Sequence, residues 1–180
     1  MKRFFAAICC LVLCSIPALA KVKTAVKAGM TDQQFVDFAA QTDMVECNLG
    51  KLAEDVAASQ PVKDYGQMLN ADHSQNLQQL KDVAQKGGFT VPDAIDAANN
   101  HKVIGPFHEL KGAEFDRRFV AAMVKGHTEA IAVFEKESVN AMNPALKTYA
   151  SDTVPVLEKH LHAAEALEKP HPAAKGMTEN

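Results

Sequence analysis

The chain has 180 residues, 47% hydrophobic and 23% charged, with no Trp, two Tyr, nine Gly and eight Pro. That composition excludes collagen-like, disordered and disulfide-scaffold classes, and the length suits one domain able to bury a core. A formal charge of −3 with no basic cluster argues against nucleic acid and anionic membrane surfaces as partners.

The N-terminus reads as an export signal. Lys2 and Arg3 precede an apolar run from Phe4 to Leu13, and Ala18-Leu19-Ala20 presents small residues to a peptidase. The run is too short to span a bilayer comfortably. Cys10 follows Cys9 and Cys14 follows Leu13, neither the small residue that precedes a lipidated cysteine. Cleavage after Ala20 predicts a mature chain with 17 basic and 22 acidic residues, a charge of −5 and a single cysteine, Cys47. An internal disulfide is then impossible, and stability rests on the core. The expected location is periplasmic, with outer-membrane association as an option and no transmembrane anchor after cleavage.

Residues 21–30 read as a linker, and Thr31 with Gln34 forms a capping-box pattern. Phe35, Phe38, Thr42, Val45, Leu49, Leu52 and Val56 then recur at helical spacing to about Ser59. Ser59 is a candidate cap for a second helix, with Pro61 in its first turn. There Val62, Leu69, His73, Leu77, Leu80 and Ala84 share a face, and Gly87-Gly88 ends it. A third stripe carries Phe115, Phe119, Met123, Gly126, Ala130, Val133 and Phe134, from near Ala113 to near Asn140. Asn143-Pro144 restarts the chain as cap and first-turn proline. The fourth stripe is Leu146, Tyr149, Thr153, Val156, His160, Ala163 and Leu167, with Pro155 as an expected kink. Residues 170–180 read as a tail, and no stretch alternates with period two over strand length.

Short turns join helices one to two and three to four, so each pair predicts an antiparallel hairpin. Residues 87–112 between them contain Gly, Pro and Asn, with a short helix expected over 94–103. A helix of about 27 residues is roughly 40 Å long, and this connection can travel back along one. The fold class is therefore all-α, a ferritin-like four-helix bundle of two antiparallel hairpins joined by a long crossover over residues 31–169.

The residues also resemble a known family. F-V-x-x-A-A (35–40), M-V-E-x-x-L-G-K-L-A (44–53), V-K-x-Y-G-x-M-L-x-x-D-H (62–73) and F-T-V-P (89–92) are similar to the bacterial domain of unknown function 4142. The similarity continues through G-A-E-F-D-R-x-F-V-x-x-M-V-x-G-H (112–127), F-E-K-E (134–137), P-x-L-K-x-Y-A (144–150) and V-P-x-L-x-x-H-L (154–161). It implies a ferritin-like bundle in exported bacterial proteins, often described as outer-membrane proteins, with no established enzymatic activity. The family often reads D-H where this chain has Gly126-His127, which weakens any role needing an acid beside that histidine.

Glu46, His73, His127 and His160 all fall within about a turn of their helix midpoints, hence at similar depth. His73 and His160 lie on the apolar stripes; Glu46 and His127 sit one position off. One carboxylate and three imidazoles converging in a bundle suit a divalent transition metal. Asp72, Asp116, Glu158 and His162 are the nearest spare ligands. The alternative is a buried, hydrogen-bonded polar layer without metal. A ferritin-type di-iron site needs Glu-x-x-His pairs, whereas Asn70, Val124 and Leu157 occupy those glutamate positions. Phosphate-loop, C-x-x-C, G-x-S-x-G and H-E-x-x-H patterns are absent. Cys47, on the outward side of the first helix, reads as a surface or boundary thiol, or as the link of a disulfide dimer. The dispersed methionines Met30, Met44, Met68, Met123 and Met142 read as core filling, and Glu135-Lys136-Glu137 as solvated surface. The functional expectation is a non-catalytic binding or envelope-associated, stress-protective role, with an envelope protein as a conceivable partner. The alternative is a metal-binding or metal-dependent redox protein using Glu46, His73, His127 and His160.

Overall fold

The structure is a computed structural model that describes residues 29–169. The export signal, most of the linker and the tail lie outside the described residues. Four long helices form the bundle: α1 (Asp32–Val56), α2 (Gln60–Gly87), α3 (Gly112–Asn140) and α4 (Pro144–Glu168). None is long and apolar enough to cross a membrane.

The helix ends follow from local chemistry. Thr31 and Gln34 close the reciprocal capping box at the start of α1. Asn143 accepts from the amides of Ala145 and Leu146 to open α4. Gly88 ends α2 at φ 74°, a left-handed conformation that glycine adopts without strain. Ser59 occupies the cap position of α2 without a hydroxyl bond. Its amide and that of Ala58 instead donate to the Asp116 carboxylate, at 2.9 and 2.8 Å. Pro155 lies inside α4, where it removes one rung of the helical ladder.

Aromatic contacts fix the helix directions. Phe35 at the start of α1 meets Phe134 near the end of α3 and Tyr149 near the start of α4. Tyr65 near the start of α2 meets Phe119 near the start of α3. Thus α2 and α3 run parallel, and the chain must return along the bundle between them. The Gln33 amide bonds Thr90, and Gln41 bonds Ala94 and Asp96, so this crossover follows α1 toward its C-terminus. The expected short helix is one α turn (Ala97–Asn99) followed by a π turn (Asn100–Ile104) and a 3-10 turn (Gly105–Phe107). Ile104 and Phe107 bury beneath it. The bundle is two antiparallel hairpins with one long crossover, the ferritin-like arrangement.

Two apolar clusters occupy the ends of the bundle. One gathers Leu49, Tyr65, Leu69, Phe115, Phe119 and Met123; the other gathers Phe35, Leu80, Phe134, Leu146, Tyr149 and Leu157. Asp43, Glu46, His73, His127 and His160 are buried between them. Helical phase departs from the apolar stripes where this polar layer sits. On α1 the buried line passes through Ala39, Asp43, Glu46, Gly50 and Ala53, leaving Phe38, Thr42, Leu52 and Val56 at its edge. On α4 Leu157 is buried and Val156 is exposed. Met142 is 86% exposed rather than core, and Glu137 is buried rather than solvated. Where α1 and α2 cross, a Cβ on Gly50 would lie 2.6 Å from the Gly66 carbonyl oxygen. Only glycine permits that approach.

The two hairpins are copies of one pattern. D-x-x-F-V occurs at 32–36 and at 116–120, and K-x-Y at 63–65 and 147–149, each pair 84 positions apart. The contacts repeat with the sequence. Asp116 holds the amides of Ala58 and Ser59 in the α1–α2 turn; Asp32 holds those of Met142 and Asn143 in the α3–α4 turn, both at 2.7 Å. Tyr65 on Phe119 is matched by Tyr149 on Phe35. Reciprocal contacts of this kind mark a pseudo-two-fold axis relating the hairpins.

Candidate metal centre

The polar layer lies where the hairpins meet. Positions 43 and 76 of the first hairpin correspond to 127 and 160 of the second, and both pairs touch. Asn76 donates to the Asp43 carboxylate at 3.0 Å, while Nε2 of His127 faces Nδ1 of His160 at 3.3 Å. The symmetry breaks at His73, whose counterpart is Leu157, and at Glu46, whose counterpart is Ala130. His73, His127 and His160 come together in the interior, each offering a ring nitrogen within 4.8 Å of the others. Their ring centroids are 5.1–5.9 Å apart.

The outer nitrogen of each ring has an acceptor. Nδ1 of His73 meets the Asp43 carboxylate at 2.8 Å, Nδ1 of His127 meets the Met123 carbonyl at 3.0 Å, and Nε2 of His160 meets Asp72 at 2.9 Å. A carbonyl can only accept, so His127 carries its proton on Nδ1; the ionised Asp72 places that of His160 on Nε2, and in the tautomer whose Nδ1–H donates to Asp43 Oδ1, the oxygen that also accepts from Asn76, His73 does likewise. In the neutral rings this leaves three lone pairs turned inward: Nε2 of His73, Nε2 of His127 and Nδ1 of His160. Nε2 of His73 is buried with no hydrogen-bond partner. An orphaned buried group of this kind is uncommon in a native fold.

Electrostatics keep the rings neutral. Burial pushes His73 and His160 down to about 4 and His127 down to about 3, the neighbouring histidines adding to the effect at His127 and His160. Burial also pushes Asp43 up to about 8, against the pull of the Asn76 hydrogen bond. Asp72 behaves oppositely: burial is overcome by hydrogen bonds from His160 and Lys159, which hold it below the usual carboxylate range.

Of the expected ligands, three converge and Glu46 does not join them. Its carboxyl is buried on α1, raised to about 8 by burial and then by Asp43, with Oε2 unpartnered. Asp72 contacts His160 from outside, whereas Asp116 serves the α1–α2 turn, and Glu158 and His162 are exposed. Cys47 does not face outward. It is half-buried against α2, with Sγ 3.3 Å from the Ser74 hydroxyl. Sequence reasoning missed Asp43, because an apolar stripe passes over an acid by construction; its signal is the Asp43-x-x-Glu46 spacing on one helix face. It also missed Asn76, which joins Asp43, the Tyr149 hydroxyl and Thr153 in one network.

Fold and site together define an all-α bundle with a buried three-histidine cluster at the junction of its two hairpins. The chain belongs to the family described as domain of unknown function DUF4142, which matches residues 17–167. The fold is similar to CopM in its Cu(II)-bound form, with a TM-score of 0.66 at 16% identity, covering 78% of this chain and 97% of that one. It is also similar to CopM in its Ag-bound form, with a TM-score of 0.58 at 18% identity, covering 76% and 93%. No curated protein matches the chain.

Proposed function

We propose that this protein binds one transition-metal ion, copper foremost, through His73, His127 and His160, and holds it rather than turning over a substrate. The observation that carries this reading is the convergence of three inward lone pairs, one of them buried without any partner. Metal ligation requires deprotonated imidazoles, and burial keeps all three so at neutral pH. An all-imidazole donor set suits copper, zinc, iron or nickel. The likeness to CopM, solved with Cu(II) and with Ag, favours copper among these. Asp43 behind His73 and Asp72 behind His160 orient the rings, as outer partners do in metal sites.

Holding is favoured over catalysis because each of the three histidines is no more than 2% exposed, so a substrate in solvent does not reach them. A cavity of about 660 Å³ lies at one end of the bundle beside Ser59, Asp116 and Leu167, and none of the three histidines lines it. Copper held by the histidine nitrogens is withdrawn from redox chemistry with solvent. The signal-like N-terminus supports an exported location, where sequestration would protect the envelope.

Thermal unfolding of metal-free protein tests the reading. Copper at a hundredfold excess over its dissociation constant stabilises the fold by about 2.7 kcal/mol, a rise in Tm of roughly 5–10 °C for a domain of this size. A His73→Ala/His160→Ala variant shows no such rise. Unchanged melting of the wild-type protein on addition of copper, zinc, iron and nickel overturns it and leaves a metal-free polar layer.

A further inference from the structure

The geometry points to a single port through which a cation reaches the histidine cluster: the groove between α2 and α4, with Asp72 as its first ligand and Lys159 as its latch. This rests on the metal-binding reading above. The three rings are each no more than 2% exposed, so an ion cannot meet them directly. The nitrogen of His127 that points away from the cluster is closed off by the Met123 backbone carbonyl. The polar chains behind the other two rings lead outward. From His160 the chain is Asp72, whose side chain is 29% exposed; from His73 it is Asp43 and then Asn76. Both end in the same place. Asp72 and Asn76 line one cavity of about 340 Å³, together with Gln75, Gln79, Pro155 and Lys159.

The chemistry of the groove suits passage of a cation. Asp72 lines the cavity with a partly exposed side chain and offers an oxygen to an incoming hydrated ion. The side chain facing it, Lys159, donates to the same oxygen that meets His160, at 3.1 Å. The ammonium is 60% exposed and must swing away before a second cation can take its place. Gln75 and Gln79 add neutral amides and no competing charge.

Stopped-flow mixing of the full mature protein with Cu(II) tests this, read by quenching of tyrosine fluorescence. With no Trp in the chain, the signal comes from Tyr65 and Tyr149, which bond His160 and Asn76. Release is followed by mixing loaded protein with a chelator. Lys159→Gln is expected to speed both uptake and release about two- to fivefold, the size of an exposed ion pair. Gln75→Lys is expected to slow uptake about three- to tenfold at low ionic strength, with the effect shrinking in high salt. Thr128→Lys, the same charge change on the exposed side of α3, leaves the rates within twofold of wild type.

Equal rates for Gln75→Lys and Thr128→Lys, with Cu(II) still bound, overturn the port and leave the metal site standing. Faster uptake with slower release in Lys159→Gln is a through-space charge effect and overturns the latch. Wild-type protein that takes up no Cu(II) overturns the underlying metal reading instead.

Discussion

Glu46→Gln separates the energetics of the polar layer from its ligand chemistry. Glu46 is buried among α1, α2 and α3 with Oε2 unpartnered, and burial followed by the nearby Asp43 carboxyl raises it from 4.5 to about 8. A carboxyl raised above its unfolded value contributes stability that is full below about pH 4.5 and is lost as pH climbs toward 8. At about 1.4 kcal/mol per pH unit the ceiling on that loss is about 5 kcal/mol, and relaxation of the interior reduces it to about 2–4 kcal/mol. Glutamine keeps the shape and cannot ionise. Urea unfolding of metal-free protein, followed by circular dichroism, is expected to give similar stabilities for wild type and variant at pH 5. At pH 9 the variant is expected to be more stable by about 2–4 kcal/mol. Parallel pH profiles for the two proteins would refute a buried, neutral Glu46.

Other consequences are open to measurement. The three histidines, depressed to about 3–4, cost stability as pH falls below about 6.5, where the unfolded chain takes up protons and the native rings do not. A His73→Leu variant, which copies the residue at the matching position of the second hairpin, should therefore unfold less readily than wild type at pH 4.5 while losing copper binding. Greater acid sensitivity in that variant contradicts the assignment. Gly66→Ala puts a methyl 2.7 Å from the Gly50 carbonyl oxygen and the Ala53 methyl. The expected cost is about 1–3 kcal/mol by denaturant titration, despite a helix-propensity gain near 1 kcal/mol. Asp32→Ala and Asp116→Ala each free two turn amides and should destabilise by about 1–2 kcal/mol, by similar amounts if the hairpins are equivalent.

The fold was legible because its signals are local and redundant. Thr31 with Gln34, Gly88, and Asn143 with Pro144 mark helix ends by chemistry that acts within four residues. The length of the crossover allowed the second and third helices to run parallel, and the Tyr65–Phe119 contact bears that direction out. Phase was less legible. Apolar spacing on α1 selected Phe38 and Val56, yet the buried line turns toward Asp43 and Glu46, because the polar layer and the Gly50–Gly66 contact set the helix rotation. The three histidines were found because their depth along the helices can be counted. Their neutral state and the partners that set it cannot: Asp43 meets His73 and Asn76 only after α1 and α2 pack. Glu46 was placed at the right depth, but depth does not report which way a carboxyl turns. The repeat was present in the letters all along, as D-x-x-F-V and K-x-Y, and became meaningful once Asp32 and Asp116 were seen holding each other's turns.

The central claim is that three buried histidines form one metal site. Metal content of protein purified without a histidine tag, loaded with Cu(II) and freed of excess ion, tests it most directly. The account predicts close to one equivalent of copper in the wild-type protein and none retained by the His73→Ala/His160→Ala variant. Copper-free wild type, or equal copper in both proteins, would contradict it.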